Sequence, residues 1–144
     1  LQGRALDGFV QPKYLTLMLV EDHPKVYGFD TIDETKQVYV TEGPFDSTFI
    51  DNSIAMCGSD VDLSGYDDLE FTYVFDNEPR NREIVSKITQ SIEKSHKVVI
   101  FPTQIREKDI NDMVLAGHDV NSLLESNTYT GLKAKLKLQT WKKV

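Results

Sequence analysis

Cysteine is almost absent. Cys57 stands alone in 144 residues, so no internal disulfide can form and a reducing, intracellular compartment is expected. Long apolar runs are missing as well. No stretch approaches the roughly 18 apolar residues of a membrane span, and no signal-peptide pattern is present. Histidine occurs at His23, His96 and His118, which stand apart in polar or loop contexts, so no zinc-ligand cluster is formed and surface roles are expected. No G-x-x-x-x-G-K-[ST] segment occurs, which argues against P-loop chemistry. Basic charge is in deficit. Against 23 acids there are 16 Lys and Arg, and the net charge of −7 argues against a protein that coats nucleic acid by bulk attraction. Internal repeats and low-complexity stretches are also lacking.

What is there suits one domain, large enough to bury about two-thirds of its unfolded surface. The opening Leu1-Gln2-Gly3-Arg4 reads as mid-domain sequence, so an excised domain is expected. Charge is unevenly placed: Lys133, Lys135, Lys137, Lys142 and Lys143 face no acid from Gly131 onward, which leaves the rest of the chain more acidic than the average. An acidic body with a basic tail fits a metal site beside a polyanion contact, and equally an ordinary solvated helix.

Residues 1–36 hold turn signals at Asp7-Gly8, Pro12 and Pro24 around one strand-like run, Tyr14–Leu19. From residue 37 strand and helix signals alternate. Val38–Thr41 is a strand, and Gly43-Pro44 opens a helix. Ser53–Cys57 is a second strand, with Cys57 packing at its end, followed by a loop of Gly58, Ser59 and Asp60. Glu70–Phe75 is a third, followed after Pro79 by a helix with Ile84, Ile88 and Ile92 on one stripe. Lys97–Phe101 is a fourth, stopped by Pro102, and short helices begin near Asp109 and over Asn121–Ser126. Ala134, Leu138 and Trp141 mark a closing amphipathic helix. This rhythm predicts βαβ units: an α/β, mainly parallel sheet flanked by helices.

The chemistry sits where the strands stop. Val38-Tyr-Val-Thr41 ends in Glu42, with Asp46 one turn on, and Phe71–Phe75 ends in Asp76 and Glu78. In a parallel sheet the carboxyl ends of strands open on one crevice, so these acids are expected to converge. Gathered carboxylates lose hydration and repel, and a divalent cation is the usual compensation. Each group also has a plain alternative. Glu42 reads as a solvated loop acid, Asp76 and Glu78 as helix N-terminal acids, and Asp109 with Asp112 as an N-cap and its N3 partner. Their coincidence at successive strand ends favours a site. With oxygen ligands only, Mg²⁺ or Mn²⁺ is the natural ion, and two such ions could activate a hydroxyl and stabilise a departing pyrophosphate. Tyr14 or Tyr27 could stack bases.

Glu42-Gly43-Pro-Phe-Asp46-Ser, Asp76-Asn77-Glu78 and Lys108-Asp109-Ile-Asn111-Asp112 together resemble the TOPRIM fold of primases, topoisomerases and some nucleases. More narrowly, Val38-Tyr-Val-Thr-Glu-Gly-Pro-Phe-Asp-Ser and Phe75-Asp-Asn-Glu-Pro-Arg80 are similar to the DNA primases of T-even-type bacteriophages. So are the opening Gln2-Gly3-Arg4, Pro12-Lys13-Tyr14 and Lys25-Val-Tyr27-Gly28, and the closing Gly131-Leu-Lys-Ala-Lys-Leu-Lys-Leu. The resemblance implies a TOPRIM, Rossmann-like core over residues 37–117. It implies a β-rich lead-in over 1–36 from the primase's N-terminal polymerase subdomain, and a basic helical tail over 118–144. It implies that Glu42 is the acid/base or metal-site glutamate and that Asp76 and Glu78 hold two catalytic Mg²⁺ or Mn²⁺ ions, with Asp109, Asp46 and Asp112 completing the cluster. Arg4, Lys13, Tyr14 and Lys25 would face template or nucleotide, Gly43 would line the site, and Arg80 and Lys108 would contact phosphates.

The sequence departs from the common pattern at Glu78, where most of the superfamily has aspartate, and at Asn77, where many primases have glycine. The phage primases share that departure. The family's zinc-binding domain would lie upstream, so no zinc is expected in this chain. Expected partners are single-stranded DNA, ribonucleoside triphosphates and a replicative helicase, in the cytoplasm of a bacterial host. The alternatives are a TOPRIM nuclease or topoisomerase fragment, and a non-catalytic docking module for a replicative helicase carried by the Lys133–Lys143 tail.

Overall fold

The apolar runs become the middle of a six-stranded sheet. The computed structural model describes residues 2–12, 14–18, 21, 23–58, 63–66 and 68–144. Leu1, Lys13, Leu19, Ser59 and Asp60, singled out from the sequence, lie outside the described residues. The strands are β1 (Gln2–Arg4), β2 (Tyr14–Thr16), β3 (Val26–Tyr27), β4 (Val38–Thr41), β5 (Ser53–Met56), β6 (Phe71–Val74), β7 (Lys97–Val99) and β8 (Thr128–Tyr129). The helices are α1 (Pro44–Ser47), α2 (Arg82–Glu93), α3 (Ile110–Leu115), α4 (Val120–Ser126) and α5 (Gly131–Trp141). The large sheet runs β3-β5-β4-β6-β7-β8, with β4 to β7 parallel and the two edge strands antiparallel. The expected α/β class, a mainly parallel sheet flanked by helices, is borne out.

Side-chain alternation along the parallel strands sorts the core into two faces. Phe75, Val98 and Ile100 pack with Ile84, Ile88 and Ile92 of α2 and Ala134, Leu138 and Trp141 of α5. Val74, Val99 and Phe101 point the other way, onto Ile110 and Met113 of α3 and Val120 and Leu124 of α4. The α2 stripe is the sequence's clearest signal. Its three isoleucines are at most 4% exposed, each contributing roughly 1.5–3 kcal/mol of burial. Asn81 caps that helix by accepting from the Glu83 N–H.

Three local details come from the structure. The run read as Tyr14–Leu19 gives a short strand paired with β1 in a separate two-stranded sheet, Arg4 opposite Tyr14. Strands β3 and β8 carried no readable pattern, because two residues are too few to show a period. Gly43 has φ −118°, and a Cβ there would lie an ordinary 3.6 Å from Asp46, so the entry into α1 does not need glycine's freedom.

The topology places the site. From β4 the chain moves to β5 on one side, then crosses back to β6 on the other side of β4. The order reverses between β4 and β6, which is where open α/β sheets leave a crevice beyond their carboxyl ends. Thr41 pairs with Val74 in that register, so the residues after them, Glu42 and Phe75-Asp76, emerge side by side.

Candidate functional site

An open cleft of about 1000 Å³ lies at this switch point. Its acidic side is formed by Glu42 and Gly43 after β4, Asp46 on α1, Asp76 after β6, and Lys108 and Asp109 before α3. The opposite sides are the β1–β2 hairpin, through Gln2, Arg4, Tyr14 and Thr16, and one flank of α2 with His96. Acids separated by tens of residues thus share one cleft, as their strand-end positions suggested.

Each carboxylate is held differently. Glu42 Oε1 accepts a 2.7 Å hydrogen bond from Lys87 Nζ. Asp46 Oδ1 accepts from the Asn111 N–H at 3.0 Å, which ties α1 to the start of α3. Burial pushes the Asp46 carboxyl up; the Asn111 bond opposes this, while Asp109, Asp112 and Glu42 add to it. Asp76 is perturbed furthest. Burial and then the charge of Glu42 raise it from 3.8 to about 6, with Lys108 pulling the other way. Asp109 does cap α3, accepting from the Asp112 N–H at 2.8 Å, and it also lines the cleft.

Other candidates stand further out. The chain bends after Asp76, where the Glu78 N–H donates back to the Asp76 carbonyl, so Glu78 is not among the residues lining the cleft. An extended chain would have put both acids on one side. The link between them is Lys108, whose Nζ lies 3.7 Å from both Asp76 Oδ2 and Glu78 Oε2. Asp112 is exposed on the first turn of α3, and Lys25 and Arg80 are exposed and outside the lining. Arg4 lies 5.6 Å from the centre of the Tyr14 ring, on the hairpin wall.

Two features were missed in the sequence. Lys87, Gln90, Ser91 and Lys94 recur at helical spacing along α2 and line the cleft beside the isoleucine stripe. Projecting that flank on a helix would have found them. The second is Asn77, which is 8% exposed. Its Nδ2 donates to the Ile105 and Glu107 carbonyls at 3.1 and 3.0 Å, and its Oδ1 accepts from Trp141 Nε1 at 3.0 Å. Its own N–H donates to Lys108 O, and the Lys143 N–H donates to Pro79 O. The acid-bearing turn is therefore fastened to the 105–108 loop and to the end of α5. No short-range pattern announces such a contact.

The donors suit a hard cation, since carboxylate oxygens are what the cleft offers. Among the described residues, no three His, Cys, Asp or Glu side chains are gathered closely enough to enclose a metal ion by themselves. Mg²⁺ does not require such a cage, because it binds through one or two carboxylates with water and substrate phosphates. Nor is any helix of the described residues long and apolar enough to cross a membrane.

No family model matches the chain. Among curated proteins, the chain is similar to the DNA primase of Enterobacteria phage T4, with 32% identity over 150 residues covering 99% of this chain and 43% of that protein. The chain therefore spans less than half the length of the curated relative it matches. The resemblance to the T-even-type primases, carried above by motifs in order, is borne out across nearly the whole sequence.

Proposed function

Starting from this kinship with a phage DNA primase, we propose that the chain is the catalytic part of a primase, a TOPRIM domain that joins ribonucleotides on single-stranded DNA by metal-dependent nucleotidyl transfer. The observation that carries the reading is the convergence of Glu42 and Asp76 at the β4/β6 switch point on a polar cleft. The raised pKa of Asp76 supports it, since burial and the charge of Glu42 disfavour its ionised form, a cost that a divalent cation held between the two would offset. Glu42 and Asp76 are the proposed ligands of Mg²⁺ or Mn²⁺, with Glu78 brought in from its turn and Asp46 and Asp109 behind them. When bound, such ions supply charge stabilisation at the reacting phosphate and the leaving pyrophosphate.

In the proposed reaction the 3′ hydroxyl of the growing strand attacks the α-phosphate of a ribonucleoside triphosphate. The new O–P bond forms as the bond to the β-phosphate oxygen breaks, and pyrophosphate leaves. Glu42 takes the hydroxyl proton. Lys108 and Arg4, at two sides of the cleft, hold phosphates of the nucleotide and the strand, and Tyr14 offers its ring to a base. Most of the acceleration then comes from positioning. Glu42→Gln and Asp76→Asn in the full-length protein should abolish primer synthesis with unchanged circular dichroism. Retained synthesis in either would overturn the assignment.

A replicative helicase is the proposed partner of the outer face of α5. There Leu132 and Leu136, 72% and 62% exposed, stand among Lys133, Lys135 and Lys137. Leu132→Glu with Leu136→Glu should weaken helicase binding and leave the fold intact; unchanged binding would remove the proposal.

A further inference from the structure

The cleft carries its own cations, and they are not equivalent. Lys108 lies 3.7 Å from its two carboxylates, in ion-pair range but longer than an ordinary hydrogen bond. Lys87 makes a charge-assisted hydrogen bond of 2.7 Å to Glu42 Oε1. Lys87 comes from α2, 45 residues further along the chain, so the pair is a product of the fold. Both side chains are partly buried, 35% and 28% exposed. With Oε1 engaged by an ammonium, Glu42 cannot give that oxygen to a divalent cation unless Lys87 moves, because two positive centres cannot share it closely.

The surroundings provide a place for it to go. Glu83, one turn earlier on α2, already holds Lys87 Nζ at 3.1 Å. Gln90, Ser91 and Lys94 continue the same flank along the cleft wall. Lys87 itself lines the cleft, so an ammonium released from Glu42 remains within reach of the space a substrate would fill, with Glu83, exposed and outside the lining, as its remaining partner.

We propose that Lys87 is a built-in counter-ion of Glu42 which a divalent cation displaces, and that the freed ammonium then binds a phosphate of the nucleoside triphosphate. The inference rests on the reading of Glu42 as a metal ligand. It has two consequences of opposite sign. Lys87 opposes metal binding when no nucleotide is present, because the ion must break the Lys87–Glu42 pair. It favours triphosphate binding once the ion is in place.

The test is a Mn²⁺ titration of the chain, following free Mn²⁺ by electron paramagnetic resonance. Wild type is compared with Lys87→Met, which keeps most of the length and loses the charge, and with Lys87→Arg, which keeps the charge. Lys87→Gln serves if the methionine variant fails to fold. Without nucleotide, the neutral variant should bind Mn²⁺ about two- to fivefold more tightly, the range spanned by loss of one partly exposed ion pair, and the arginine variant should match wild type. With Mn²⁺ saturating, a non-hydrolysable ribonucleoside triphosphate analogue should bind the neutral variant several-fold more weakly. Equal or weaker Mn²⁺ binding by the neutral variant would overturn the inference while leaving the metal reading intact. Failure of every form, wild type included, to bind Mn²⁺ would overturn both.

Discussion

Replacing Asp76 by asparagine should abolish activity and yet stabilise the protein. In the fold, burial and the neighbouring Glu42 hold the Asp76 carboxyl at about 6, against 3.8 for the free group. Taken at face value, a rise of this size means that the charged form is disfavoured by about 3 kcal/mol. About a quarter of the side chain remains exposed, and solvent screening brings the expected cost to about 1–2 kcal/mol. The sign follows from proton counting. In the unfolded chain the group loses its proton near 3.8, in the folded protein near 6, so between these values the folded state binds the extra proton. Stability from this group therefore falls as pH rises through that window and is level above it. Urea unfolding of wild type and Asp76→Asn, without divalent cations, should show a gap that is small at acid pH and widens to about 1–2 kcal/mol in favour of the variant above about pH 6.5. Millimolar Mn²⁺ should narrow the gap by stabilising wild type alone. A gap independent of pH, or a variant less stable than wild type at neutral pH, would refute the reasoning.

Asn77→Ala should cost about 2–4 kcal/mol in urea unfolding, because the Ile105 and Glu107 carbonyls and Trp141 Nε1 all lose a buried partner. Trp141→Phe removes the N–H donor and also part of a buried ring, leaving Asn77 Oδ1 unpaired beside a small cavity, so a loss of about 2–3 kcal/mol is expected by the same measurement. Asp109→Ala should lower stability by about 1 kcal/mol through loss of the α3 cap, and Asp109→Ser should restore most of it. If primer synthesis follows stability through that pair, Asp109 acts as a cap; if the serine variant stays inactive, its carboxylate belongs to the site.

The parallel core was legible because its strands are short β-branched runs cut off by acids, and α2 and α5 because their buried residues recur at helical spacing. That regularity is local, and so is the placing of Glu42, Asp76 and Asp109 at strand or helix ends. What lies between elements was not legible. The bend that carries Glu78 out of the cleft lining is fixed by Asn77, whose partners are 28, 30 and 64 residues away. Lys87 reads as an ordinary solvated lysine until α2 is laid on the sheet and its ammonium meets Glu42. The edge strands β3 and β8 owe their existence to the sheet they join, through Val26–Met56 and Val98–Tyr129 pairing, and two residues carry no period of their own.

The strand-end acids at the β4/β6 switch point are proposed as a metal site. Its most direct test is a crystal of this chain soaked in Mn²⁺ and measured at a wavelength where manganese scatters anomalously. An anomalous peak is expected within ligand distance of both Glu42 and Asp76, with Lys87 Nζ moved away from Glu42. No peak there, with Lys87 still bonded to Glu42 at a Mn²⁺ concentration that supports primer synthesis by the full-length protein, would contradict it.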